Sequence, residues 1–138
     1  MNTRTAFTCM AAALVAGVAV SSAAGWAQLR PLAMLDQLED GEWELRLRDA
    51  PGEPRHICLS DARKLIQLRH PGQPCNSVVV EDTPVSVTVQ YTCRGRGYGR
   101  THVRREADNL VQIDSQGIAR GLPFSFAAEA RRVGSCGG

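Results

Sequence analysis

The placement of the cysteines constrains this fold more than any other feature of the sequence. After its first 27 residues the chain carries four cysteines, at Cys58, Cys75, Cys93 and Cys136. An even number of cysteines in a small exported domain predicts disulfides, here two. Four cysteines allow three pairings, and the sequence alone leaves the choice open. We favour Cys75–Cys93, which would join two strands of one hairpin, and Cys58–Cys136, which would tie the chain end to an early strand.

These disulfides matter because the domain has a small core. Beyond residue 27 the chain has only five aromatic residues, which are Trp43, Tyr91, Tyr98, Phe124 and Phe126. A domain of this size has little stability to spare. The chain-entropy model assigns each unstrained disulfide about 3–5 kcal/mol. The disulfides are therefore expected to supply a large part of the folding free energy.

A zinc site is the competing interpretation of four cysteines. Structural zinc sites bring their ligands in close pairs. Here the gaps between successive cysteines are 16, 17 and 42 residues. His56 and Cys58 share a strand face, but they form a single weak pair. We therefore predict no metal site and no cofactor.

The compartment is indicated by the first residues, "MNTRTAFTCMAAALVAGVAVSSAAGWAQ". A positive start at Arg4, an uncharged apolar run and a small-residue stretch are the order of a secretory signal peptide. Residues 1–27 form this predicted peptide, with cleavage after Ala27 and Ala23 as the alternative. The apolar run is too short for a comfortable membrane span, although a retained anchor is the other interpretation. The sequence thus predicts a periplasmic protein with no transmembrane segment in its mature chain.

The remaining residues form one small domain with almost no net charge. The whole chain has 16 basic and 14 acidic residues. Loss of Arg4 with the signal peptide leaves 15 against 14, a formal net charge of +1. This balance gives no strong electrostatic drive toward nucleic acid, which is an unlikely partner.

Two short helices are predicted. Residues 28–40 form a lead-in with a short helix in "PLAMLDQLEDG", where Leu32, Leu35 and Leu38 recur at spacing three. A second short helix is predicted in "SDARKLIQL", with Ser60 or Asp61 as its N-cap.

Residues 41–138 are predicted to form a single small β domain. "GEWELRLRD" alternates apolar and charged residues, and "VSVTVQYTC" places Val85, Val87, Val89, Tyr91 and Cys93 on one face. From Cys75 onward, short strands alternate with turns. The predicted fold is mainly β and disulfide-bonded: a curved antiparallel meander of about six or seven strands with one or two short helices, and a barrel-like curvature is an open alternative.

The order of these motifs resembles an exported bacterial family, the one described as domain of unknown function 3617. "GEWEL", "HICL", a short helix, Cys75, "YTC" and a terminal "GSC" follow one another as in that family, over about residues 41–136. The resemblance implies a small, mainly β, disulfide-bonded periplasmic protein. It implies no activity and transfers no catalytic residue.

The stretch "YTCRGRGYGRTHVRR" (residues 91–105) suggests a single-stranded nucleic-acid binder at first sight. Such binders need several exposed aromatic platforms, and Tyr91 points inward with the buried valines. The preferred interpretation is a hairpin turn whose reversal uses glycines with positive φ, namely Gly95, Gly97 and Gly99.

A basic patch is the functional interpretation of the same stretch. Alternation places three of its residues on one strand face, with two more arginines nearby; the candidate anion-binding residues are Arg94, Arg96, Arg100, His102 and Arg104. Its partners would be lipid phosphates, lipopolysaccharide or other acidic envelope polymers. The plainer alternative is a solvated face partly neutralised by Glu106 and Asp108.

No catalytic constellation is evident, so we do not expect an enzyme. The three histidines are scattered, and the chain has no Gly-x-Ser-x-Gly elbow, phosphate loop or His-Glu-x-x-His motif. The expected function is non-catalytic binding in the envelope, to an anionic component or a protein partner. The alternatives are a small inhibitor of a hydrolase, acting through loops 50–54, 70–74 and 94–99, or a carrier of a small apolar ligand.

Overall fold

The computed structural model describes residues 31–50 and 52–137. The predicted signal peptide, residues 1–27, lies outside the described residues. The described part contains seven strands: β1 (Gly41–Leu47), β2 (Arg55–Leu59), β3 (Asn76–Asp82), β4 (Ser86–Cys93), β5 (Gly97–Ala107), β6 (Leu110–Ala119) and β7 (Leu122–Gly134). All neighbouring strands pair antiparallel. The prediction of a mainly β, antiparallel fold of six or seven strands is therefore confirmed.

The strands form one sheet in the order β2-β1-β7-β6-β5-β4-β3. Strands β3 to β7 follow the meander expected from the sequence, because each pairs with the next. The departure is β1, which pairs with the last strand, so that Leu45 lies beside Ala130. The sheet is not closed, since β2 and β3 form its two edges.

Apolar alternation gives the sheet one buried face. In β4, Val87, Val89 and Tyr91 are buried, and Trp43 of β1 is wholly buried on the same side. Val85 was expected on this face, but it is 53% exposed because it belongs to the turn before β4. The core therefore lies between this face and the short segments that cross it.

The first crossing segment is less helical than its leucine spacing predicts. Only Leu35–Gln37 forms a 3-10 helix, and Leu32 has a φ of 64°. The N–H of Leu32 donates to the Asp82 carboxylate across 2.8 Å, and the N–H of Glu39 donates to the Asp108 carbonyl across 3.0 Å. Bonds to other parts of the fold thus replace the helical ones at both ends of the segment.

The second crossing segment is also a 3-10 helix, Ala62–Leu65. Of the two predicted caps, Asp61 is the one used, because its carboxylate accepts the Arg63 N–H across 2.9 Å. Leu65, at the end of this helix, and Ile66, which follows it, are both buried. Together the two segments cover the part of the sheet that surrounds Trp43 and the β4 valines.

Strand β6 is continuous from Leu110 to Ala119, and the chain reverses at Arg120 and Gly121. Gly117 does not break β6, because it pairs directly with Gly99 and the two strands approach closely there.

Strand β3 is an exposed edge. Every one of its residues is exposed, including Val78, Val79 and Val80. The pairing with β4 shifts between Val79 and Glu81, so one residue bulges. A bulge distorts the row of free backbone groups and disfavours addition of another strand.

Two disulfides close the structure, Cys58–Cys136 and Cys75–Cys93. These are the two pairings that were favoured from the sequence. Cys93 is buried at the end of β4, and its bond holds the segment that precedes β3 onto the sheet. The bond from Cys58 joins edge strand β2 to the residues that follow β7. Two disulfides are typical of a protein that folds outside the reducing cytoplasm.

Removing each disulfide should destabilise the fold by an amount that follows the length of the loop it closes. The bonds span 78 and 18 residues in sequence. The chain-entropy relation gives about 4.5 kcal/mol for the long loop and about 3 kcal/mol for the short one. We expect Cys58→Ser/Cys136→Ser to lower the free energy of unfolding more than Cys75→Ser/Cys93→Ser. Urea unfolding followed by circular dichroism measures both, and the reverse order would contradict this expectation.

Candidate functional site

The arginine-glycine stretch forms the turn between β4 and β5. Arg94, Gly95 and Arg96 make the turn, and Gly95 and Gly97 have φ values of 72° and 123°. The hairpin interpretation therefore matches the structure, except at Gly99. This glycine has no positive φ and lies within β5, where a Cβ atom would collide with the Tyr91 hydroxyl.

Tyr91 and His70 fix the position of this turn. The Nδ1 atom of His70 lies 3.1 Å from the Tyr91 hydroxyl, and its Nε2 atom lies 3.2 Å from the Arg96 carbonyl. A carbonyl only accepts, so Nε2 donates to the Arg96 carbonyl, and Nδ1 shares the other hydrogen bond with the Tyr91 hydroxyl. His70 is 4% exposed. A buried histidine thus binds the loop after the second 3-10 helix to the β4–β5 turn.

A second turn lies beside the first. Arg120 and Gly121 connect β6 to β7, and Arg120 has a φ of 52°. The backbone N–H of Arg120 donates to the Arg96 carbonyl across 3.2 Å. The same carbonyl therefore receives bonds from His70 and Arg120, and three separate segments meet at one end of the sheet.

The arginines divide into two groups. Within the described residues seven of them form salt bridges: Arg46, Arg48, Arg63, Arg104, Arg105, Arg131 and Arg132. The other described arginines have no carboxylate within 4.0 Å, and all but Arg55 belong to the turns, the adjoining loop or the nearby part of β5. We call this second set the basic end and define it as Arg69, Arg94, Arg96, Arg100 and Arg120.

The structure brings together only part of the predicted patch. Arg94, Arg96 and Arg100 belong to the basic end, and the cross-strand neighbours of Arg100 are the uncharged Gln90 and Gln116. Arg100 has no carboxylate partner among the described residues, so its guanidinium is available to a ligand.

His102 and Arg104 differ from the rest of the predicted patch. His102 shares a 2.9 Å hydrogen bond with Thr88, and Arg104 lies 2.9 Å from Glu106. Arg104 is also about 13 Å from Arg100 along the strand. The predicted neutralisation by Glu106 thus reaches Arg104, while Asp108 pairs instead with Arg105.

Arg69 and Arg120 were missed from the sequence. Neither residue is near the arginine-glycine stretch in sequence. The pairing of the strands and the hydrogen bonds of His70 bring both close to it in the fold. A signal was nevertheless present, because residues 65–80, 83–105 and 115–128 contain no aspartate or glutamate. All three acid-free runs contribute to the basic end.

Exposed apolar side chains and a cavity accompany these charges. Tyr98 is 50% exposed and Leu122 is 70% exposed. The β5 face that carries Arg100 and His102 lines a cavity of about 570 Å³. Two carboxylates line this cavity: Asp114 bonds to Arg48 across 2.8 Å, and Asp49 lies in the loop after β1.

Other candidate groups are arranged differently. His56 lies 3.5 Å from Glu42 and 3.8 Å from Glu44, on exposed strands away from the basic end. Across residues 31–50 and 52–137, no three histidine, cysteine or acidic side chains are grouped so as to hold a metal ion. Neither 3-10 helix in that part of the chain has the length or hydropathy to cross a bilayer.

Comparisons with protein-family models, curated proteins and solved structures give no match to this chain.

Alkaline pH should destabilise the Tyr91–His70 pair. Burial raises the pKa of the Tyr91 phenol, while the charge of Arg69 acts in the opposite direction. The phenol pKa in the unfolded chain is about 10. A higher pKa in the folded chain stabilises the fold at pH values below about 10, and this contribution is lost as the pH rises from there through the folded-state pKa. We expect the free energy of unfolding to fall more steeply above about pH 10 in the natural chain than in Tyr91→Phe. Parallel curves in urea unfolding from neutral to alkaline pH would contradict this.

Proposed function

We propose that this protein is a non-catalytic binding protein of the periplasm, exported by residues 1–27, which attaches through its basic end to phosphate-bearing lipid surfaces of the envelope. One observation carries the proposal. Five arginines at one end of the sheet have no salt bridge, whereas seven arginines elsewhere in the described chain do. Charges left without internal partners at one place favour an external anion.

The chemistry of these side chains suits phosphate. A guanidinium presents a rigid fork of donors that matches phosphate oxygens, and it keeps its charge at any physiological pH. Near an anionic membrane each arginine contributes about 1 kcal/mol of binding free energy. A net charge near zero does not oppose this, because no described carboxylate lies within 4.0 Å of a guanidinium of the basic end.

Tyr98 and Leu122 favour a lipid surface over a purely polar polymer. Both are exposed beside the unpaired arginines. Amphipathic aromatic rings and arginine side chains are favoured at membrane interfaces, where one end is apolar and the other is solvated. An acidic polysaccharide has no acyl chains to pack against Leu122.

Export is supported by the two disulfides, which persist in oxidising compartments. The motif order over about residues 41–136, with its resemblance to domain of unknown function 3617, points the same way. The non-catalytic part is supported by the roles of two histidines: His70 joins a loop to a turn, and His102 bonds to a threonine.

Replacing arginines of the basic end should release the protein from anionic vesicles. The test variant is Arg94→Ser/Arg96→Ser/Arg120→Ser, whose three sites are exposed turn residues. Cosedimentation with phosphatidylglycerol vesicles should show affinity lowered about a hundredfold, which corresponds to about 3 kcal/mol for three arginines. Phosphatidylcholine vesicles should bind neither form.

The matched control changes net charge by the same amount elsewhere. Arg46→Ser/Arg48→Ser/Arg131→Ser removes three exposed arginines that already form salt bridges. We expect this control to retain vesicle binding. Equal loss in both triple variants would mean that total charge and not its placement governs binding. If the protein binds heparin but not the vesicles, its ligand is an acidic polymer and the lipid proposal is wrong.

A further inference from the structure

The two crossing segments leave part of the sheet's apolar face open. They cover Trp43 and the β4 valines, but Leu47 at the end of β1 is 49% exposed although it points to the buried side. Phe126 beside it is only half-buried. Leu68 closes one side of this region, and loop residues 50 and 52–53 border another. The result is an apolar cleft of about 500 Å³, within the usual range for a small-molecule site.

The cleft has two cations at its rim. Arg55, at the start of β2, and Arg69 both line it, and neither has a salt bridge to a described residue. The guanidinium of Arg69 lies over the Phe124 ring, 5.5 Å from its centre, which holds it against the apolar floor. Glu53 is the one carboxylate of the described lining, and no salt bridge joins it to either arginine.

We propose that this cleft binds a single-chain amphipathic anion, with its acyl chain on Leu47, Leu68 and Phe126 and its charged head between Arg55 and Arg69. A neutral apolar ligand would make no use of the two exposed guanidinium groups at the rim. A simple inorganic anion would leave the leucines and the phenylalanine exposed to water. A ligand with both parts satisfies both sets of contacts.

This inference goes beyond attachment to a surface, because it concerns one molecule held in a cleft. The two sites share Arg69 only. Arg55 belongs to the cleft alone, while Arg94, Arg96 and Arg120 belong to the basic end alone. Leu47 also lines the neighbouring cavity beside β5. Failure of one proposal therefore leaves the other open to its own test.

Isothermal titration of the disulfide-bonded mature protein with decanoate tests the proposal. We expect saturable binding of decanoate, weaker binding of 1-decanol, and no measurable binding of acetate. Decyl phosphate in a parallel titration distinguishes a carboxylate head from a phosphate head, and tighter binding of either fits the cleft. Absence of saturable binding by both decyl anions would overturn the proposal.

Single-residue variants test which residues contact the acyl chain of the ligand and which contact its charged head. Leu47→Ser should weaken decanoate binding about fivefold by removing apolar contact area. Arg55→Ser should weaken it about tenfold by removing a charge-assisted bond. Glu53→Gln should tighten it about twofold, because a repelling carboxylate is lost. All three positions are exposed, and an unchanged melting temperature verifies that each variant folds.

Leu122→Ser is the control for lost apolar surface. Leu122 is 70% exposed and lies outside the lining of the cleft. The Leu122→Ser variant should bind decanoate with the same affinity as the natural chain. Equal weakening by Leu122→Ser and Leu47→Ser, or equal affinity for decanoate and 1-decanol with no effect of Arg55→Ser, would overturn the assignment. The Arg94→Ser/Arg96→Ser/Arg120→Ser protein should keep its decanoate affinity even as it loses vesicles.

Discussion

Burial on one face of a single sheet is the constraint on which this structure depends. An open sheet needs a second layer on its apolar side, and here two short segments supply it. Neither segment is long enough to be stable alone as a helix. They are held in place by bonds to the sheet: Leu32 to Asp82, His70 to Tyr91, and the Cys75–Cys93 disulfide. Where this thin cover ends, apolar side chains meet solvent.

The distribution of charge follows from the strand connections. The turns at residues 94–96 and 120–121 emerge at the same end because β4 to β7 form an unbroken meander. The β5–β6 turn, with Asp108, emerges at the other end, and Glu39 lies beside it. A chain that is nearly neutral overall therefore has unpaired arginines at one end, whereas at the other end Asp108 is paired with Arg105 and Glu39 with Arg132. Its net charge therefore conceals an uneven placement of unpaired arginines.

Local alternation predicted most of the strands because each side chain's position in a strand depends on its immediate neighbours. Trp43, Val87 and Tyr91 lie on the buried face as their spacing indicates. The leucines of residues 31–41 are buried, but in turns and a 3-10 helix of three residues, because a spacing of three does not distinguish these from a longer helix. The pairing of β1 with β7 and the approach of Arg120 to Arg96 depend on contacts distant in sequence. No local pattern encodes them, so the candidate site was only half predicted.

The position of β7 has a consequence for the order in which the chain can fold. β7 lies between β6 and β1, so the β1–β2 hairpin has no place in the sheet until residues 122–134 are available. The Cys58–Cys136 bond likewise waits for the last residues. Contacts this distant in sequence form late, because closing the intervening loop costs entropy before any contact compensates for it. A partly synthesised chain that lacks residues 122–134 therefore cannot complete the sheet.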